Sequence, residues 1–137
     1  MQKTNEASEE RVVLIVDDDP DFLELMRFYV EAMGMEVLSA HSRAEAERLL
    51  AKVKPDLAIL DLMMERLDDG FALSYEVKKK DPAIPVVVVT AVAHETGLRF
   101  DASSPEEREW MKADALLDKP VRFEQVRQVI ERLLKRT

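Results

Sequence analysis

Residues Val12–Pro20 read VVLIVDDDP, five apolar residues followed at once by three carboxylates and a proline. An uninterrupted apolar run of this length, rich in β-branched residues, suits a strand covered on both faces, as in a parallel sheet. The proline after Asp19 is a helix start signal, because proline is tolerated in a first turn and Asp caps the amides there. The stretch therefore reads strand, acidic turn, helix.

The same grammar repeats outward. Further apolar runs are Leu57–Leu60 (LAIL), Val86–Val89 (VVVV) and Ala115–Leu117 (ALL), with a weaker one at Val37–Leu38. Helical periodicity lies between them. Phe22, Leu25, Met26, Tyr29, Val30 and Met33 recur at three- and four-residue steps up to Gly34. Ser42 and Glu45 form a capping box ahead of Ala46, Leu49, Leu50 and Val53. Phe71, Leu73, Ser74 and Val77 predict a third helix that ends in Lys78-Lys79-Lys80, read as a solvated end favourable to the helix dipole. Ser104-Pro105 opens a short fourth helix carrying Trp110 and Met111, and Phe123 to Leu134 make the fifth. Five strand–helix units imply a three-layer α/β fold, a doubly wound parallel sheet with right-handed crossovers. Residues 1–10 read as a flexible tail and 11–137 as one domain.

Composition narrows the chemistry. The 137 residues carry a formal net charge of −8, which disfavours non-specific binding to a polyphosphate backbone. There is no cysteine, so disulfides and thiolate chemistry are excluded. Gly34, Gly70 and Gly97 are too dispersed for a glycine-rich phosphate loop. The polar N-terminus lacks the regions of a signal peptide, and Pro82–Ala93 is far shorter than the ~20 apolar residues of a spanning helix. The expectation is a cytoplasmic protein without membrane insertion.

Polar residues then fall where such a sheet places its ligands, beyond the carboxyl ends of the strands. Asp17, Asp18 and Asp19 follow the first strand, Asp61 the third, Thr90 the fourth, and Lys119-Pro120 the last. Three carboxylates at one site repel one another unless a hard cation neutralises them. Mg²⁺ is held through carboxylates and phosphate oxygens, and with Lys119 it balances the three negatives. An Asp so placed can attack phosphorus, since phosphoryl transfer needs mainly positioning and charge neutralisation. Asp19 is assigned to capping alone.

VVLIVDDDP, LAILDLMM, VVVVTA and DKP, in this order, closely resemble the receiver domain of two-component response regulators, over about residues 11–135. The resemblance implies a flavodoxin-like (βα)₅ fold of strand order 2-1-3-4-5. It makes Asp61 the phosphoacceptor, and Asp17, Asp18, Asp61 and the main-chain carbonyl of Met63 the Mg²⁺ ligands. Thr90 matches the switch hydroxyl, Ala91 the small residue beside it, Lys119 the phosphate-pairing lysine, and Lys119-Pro120 the cis peptide. The implied partners are a sensor histidine kinase or histidine phosphotransfer protein and an unknown downstream protein. The implied output face comprises the fourth helix, fifth strand and fifth helix, in a monomer or weak homodimer without direct nucleic-acid contact.

The chain also departs from the pattern. Glu65 stands where receivers usually have proline, and Met64–Gly70 is one residue longer than usual. Leu116 occupies the place of the common switch Tyr or Phe, and the segment from Thr90 to Lys119 is several residues longer, the excess lying in residues 92–103. Met63 and Val92 are apolar at the positions that tune phosphoryl loss in the family. His41 and His94 read as ordinary loop histidines, and Phe100 and Trp110 flank the long loop. The leading expectation is a stand-alone phosphoacceptor switch that catalyses only its own phosphorylation and dephosphorylation. Its rivals are a non-phosphorylated interaction module on the same scaffold and a Mg²⁺-dependent aspartyl phosphatase. The phosphatase is disfavoured because Asp21 stands where its D-x-D-x-[TV] signature ends.

Overall fold

A computed structural model describes residues 11–62, 64, 69–91 and 113–134. Five strands alternate with helices: β1 (Val12–Val16), β2 (Glu36–Ala40), β3 (Leu57–Asp61), β4 (Val86–Thr90) and β5 (Ala115–Asp118). The helices among the described residues are α1 (Pro20–Ala32), α2 (Arg43–Lys52), α3 (Asp69–Lys80) and α4 (Phe123–Leu134). Here α4 is the last of the five expected from the sequence, and the expected helix at Ser104 lies outside the described residues. All strand pairs are parallel, in the order β2-β1-β3-β4-β5. The protein thus has the α/β flavodoxin-like architecture.

The apolar runs are continuous because the central strands are covered twice. Leu14, Val16, Ala58, Leu60, Val86 and Val88 pack on one face with Ala46 and Leu50 of α2 and Leu73 and Val77 of α3. Val13, Ile15, Leu57, Ile59, Val87 and Val89 pack on the other with Met26 and Val30 of α1 and Val126 and Ile130 of α4. Every residue of β3 and β4 is buried, including the polar Asp61 and Thr90 at their ends. At the sheet edge, β2 begins with exposed Glu36, which is why its sequence signal is weak.

Helix starts follow local capping chemistry. Asp19 caps α1 through a 3.0 Å bond from the Asp21 N–H to its Oδ1. Ser42 Oγ accepts the Glu45 N–H at 3.1 Å, as a capping box requires. The reciprocal half is displaced by one residue, for the Glu45 carboxylate accepts the His41 N–H at 2.8 Å, which holds that carboxyl low. After α1 the chain turns at Gly34, whose φ of 86° favours glycine. Arg43 then ties α2 to α3, with its guanidinium 2.9 Å from Glu47, 3.3 Å from Glu76 and 3.8 Å from buried Asp69.

Lys78 corrects the reading of a solvated lysine trio. Its ammonium donates to Asp114 Oδ2 at 2.8 Å and to the Ile84 carbonyl at 2.7 Å, while Lys79 and Lys80 are exposed. The same Asp114 oxygen accepts the Val86 N–H at 2.8 Å, so one carboxylate fastens α3 to the starts of β4 and β5. Removing it strands a partly buried amide and ammonium, which costs about 2 kcal/mol. Asp114→Ala is therefore expected to lower the unfolding free energy obtained from urea titration by that amount, whereas Lys79→Ala should change it by less than about 0.5 kcal/mol.

Candidate functional site

Strand register brings the polar residues together. Val16 stands beside Leu60 in the β1–β3 ladder, so the next residues, Asp17 and Asp61, lie level with each other. Asp61 is in turn paired with Val89, and Thr90 with Asp118, which puts Thr90 and Lys119 one step farther along the same edge. The Lys119 N–H donates to the Thr90 carbonyl at 2.9 Å. Strands β3, β4 and β5 run one residue past their apolar stretches, so Asp61, Thr90 and Asp118 are their last members rather than the first loop residues. Chain order reverses between β1 and β3, which makes this edge the topological switch point.

The carboxylates differ in surroundings. Asp17 is fully buried, Asp61 is buried at 6% exposure, and Asp18 faces solvent. One oxygen from each lies within 4.8 Å of the others, close enough to share one ion. Asp17 Oδ1 accepts the Asp19 N–H at 2.9 Å. Asp17 Oδ2 is buried and has no hydrogen bond, although Lys119 Nζ stands 2.9 Å away as an ion-pair partner. Burial pushes the Asp17 carboxyl up, outweighing the pull of the Asp19 amide and of Lys119. The Lys119 ammonium is also 3.9 Å from Asp61 Oδ1. Burial alone would lower its pKa, but the close contact with Asp17 and the charges of Asp61, Asp17 and Asp19 raise it.

This donor set fits a hard divalent cation. It offers oxygen only, it carries more negative charge than one lysine balances, and it leaves a buried carboxylate oxygen without a directed donor. Of the other residues singled out in the sequence, Ala91 follows β4 half-buried and Leu116 lies on β5, packed against the core. The Lys119–Pro120 peptide is cis. Met63, Glu65, Val92, His94, Phe100 and Trp110 lie outside the described residues.

Two residues at the site carry no obvious polar signal in the sequence. Phe22 on α1 presents its ring to Lys119, with Nζ 4.5 Å from the ring centre. Gly70, in the first turn of α3, lies directly against the end of β3. A β-carbon there would stand 2.5 Å from the Asp61 carbonyl oxygen and 2.6 Å from Leu62 Cα, so only glycine permits the approach. Its N–H donates to the Leu62 carbonyl at 2.9 Å.

A family model described as the response regulator receiver domain matches residues 13–131. The chain belongs to that family. The transcriptional regulatory protein GlrR of Escherichia coli is 42% identical over 79 residues, 58% of this receiver and 18% of GlrR. RpaA of Synechocystis, a DNA-binding dual master transcriptional regulator, is 30% identical over 129 residues, 91% of this receiver and 49% of RpaA. The receiver chain thus spans about half, or less, of the length of these relatives. A CheY-like response regulator receiver domain protein from Methanospirillum hungatei superposes with a TM-score of 0.76 at 25% identity, over 92% of this receiver and 94% of that chain.

Two outcomes follow from the receiver's site geometry. Asp17→Asn removes a buried charge while keeping an acceptor for the Asp19 amide, so the metal-free protein should gain about 1–2 kcal/mol in stability. Added Mg²⁺, which is expected to raise the melting temperature of the wild type, should no longer do so in this variant. Gly70→Ala should cost about 1–3 kcal/mol in urea unfolding, because backbone rather than a yielding side chain meets the new methyl.

Proposed function

We propose that this receiver is a phosphoacceptor switch in which Asp61 takes a phosphoryl group from a sensor histidine kinase or a histidine phosphotransfer protein. The observation that carries the reading is the convergence of Asp17, Asp18 and Asp61 at one strand edge, with the Lys119 ammonium between two of them. Asp17, Asp18, Asp61 and the main-chain carbonyl of Met63 are the residues that would hold Mg²⁺. When bound, Mg²⁺ supplies charge neutralisation to the carboxylates and to the phosphoryl oxygens.

This chain's own residues account for the rest of the reaction. An Asp61 carboxylate oxygen attacks phosphorus as the phosphorus–nitrogen bond of a phosphohistidine breaks. The bonding pair leaves with the imidazole, which is protonated by solvent, and an acyl phosphate remains on Asp61. Lys119 exchanges its carboxylate contacts for a phosphoryl oxygen. The Thr90 hydroxyl turns toward the new anion, and Ala91 leaves room for it. Both residues sit at β5 or beside it, so these contacts bias the face formed by β5, α4 and the helix expected at Ser104 toward a partner-binding state. The downstream partner is a protein, met by a monomer or weak homodimer in the cytoplasm, without direct contact to nucleic acid. No helix among the described residues is long and apolar enough to cross a membrane.

With Mg²⁺ and a small acyl-phosphate donor, the protein should gain one phosphoryl group in intact mass, and Asp61→Asn should gain none. Steady release of phosphate from phosphomonoesters over many turnovers would instead indicate a phosphatase. Lys119→Ala should still accept the phosphoryl group, but more slowly, and fail to transmit it. Amide chemical-shift changes over Ala115–Leu134 on phosphorylation, strong in the wild type, should largely vanish in that variant, and their persistence would overturn the assigned role of Lys119.

A further inference from the structure

We infer that Phe22 is a positioning residue for phosphoryl transfer, acting through the face of its ring on the Lys119 ammonium; the inference rests on the function proposed above. Lys119 Nζ lies 4.5 Å from the Phe22 ring centre, 2.9 Å from Asp17 Oδ2 and 3.9 Å from Asp61 Oδ1. The ammonium is thus held between two carboxylates and an aromatic face. At 23% side-chain exposure it is largely withdrawn from water, the condition under which attraction to a ring quadrupole is strongest.

The ring does what a third carboxylate could not. Asp17 and Asp61 attract Lys119 only while their charge is uncompensated, and a cation and a phosphoryl group at the site change that charge. The ring's attraction is independent of that change. It is also broad in direction, extending to about 6 Å from the centroid, so Nζ can pivot from Asp17 toward a phosphoryl oxygen without leaving it. Phe22 is itself fixed, because it belongs to α1 and packs against the core face that includes Leu23, Met26 and Val126. α1 is anchored in turn by the Asp19 cap beside Asp17. One short segment therefore sets both the acidic pair and the aromatic support of the lysine.

Replacing Phe22 by 4-fluoro-, 3,5-difluoro- and pentafluorophenylalanine weakens the ring quadrupole stepwise at nearly constant shape. The rate of Mg²⁺-dependent Asp61 phosphorylation by acetyl phosphate should fall in step, by about threefold to tenfold at the end of the series. Phe22→Leu should fall to the same level, and Phe22→Tyr should retain most of the wild-type rate. A second readout needs neither metal nor phosphate. In the metal-free protein the labelled Lys119 ε-methylene protons should resonate upfield of those of the other lysines, through the ring current, and should return to the common position in Phe22→Leu. A flat fluorination series in a wild-type background that does accept phosphate would overturn the inference alone. No phosphorylation of the wild type would overturn the proposed function, and this inference with it.

Discussion

The constraint on which the structure depends is the burial of Asp17 and Asp61 at adjacent strand ends, with too little positive charge beside them. A hydrocarbon core alone would exclude both. They remain because β1 and β3 carry them, in register, to the edge where the sheet's apolar layers stop. Lys119 arrives from β5, two strands beyond β3 in the sheet order, and compensates part of the charge. The surplus that remains is what the proposed cation would neutralise. Stability and chemistry are opposed here, as they commonly are where strain or unbalanced charge is stored at functional sites.

Much of this was legible in the sequence because parallel sheets write themselves plainly. Buried central strands are apolar without alternation, so the first polar residue after VVLIV, LAIL or VVVV marks a strand end. Strand ends in this topology share one edge, so Asp17, Asp61 and Thr90 could be grouped without any contact being known. The helix at Pro20 and the caps at Asp19 and Ser42 were legible for a different reason, since they depend on residues only a few positions apart.

Contacts between residues distant in sequence were not legible. Lys78 sits in a run of three lysines, and nothing local distinguishes the one whose ammonium reaches Asp114 across 36 positions. Phe22 satisfies the helical apolar period like Met26 and Val30, so periodicity assigns it to the core and cannot reveal the cation above its ring. Gly70 gives no signal of its own either, because the need for glycine comes from the backbone of β3 rather than from a turn in its own segment. Each case turns on which surfaces of a correctly assigned element meet, and that is decided by packing.

In the proposed switch, those same distant contacts are the routes by which a charge change at Asp61 would spread through the sheet. Asp61 touches α3 through the close approach of Gly70, and α3 is bound to α2 by Arg43. Through Lys119, Asp61 is also linked to β5 and to Phe22 on α1. The two routes differ in kind. Gly70 and Arg43 hold backbone and helix together by contacts that a phosphoryl group would not replace. Lys119 holds its place by charge and by an aromatic face, and the proposed phosphorylation would alter the first while leaving the second. In the proposed switch the responding element is therefore on the β5 side, where Lys119 would pivot over the Phe22 ring. One fixed wall and one charge with two alternative partners, Asp17 or a phosphoryl oxygen, would supply the two arrangements that the proposed population-shift switch requires.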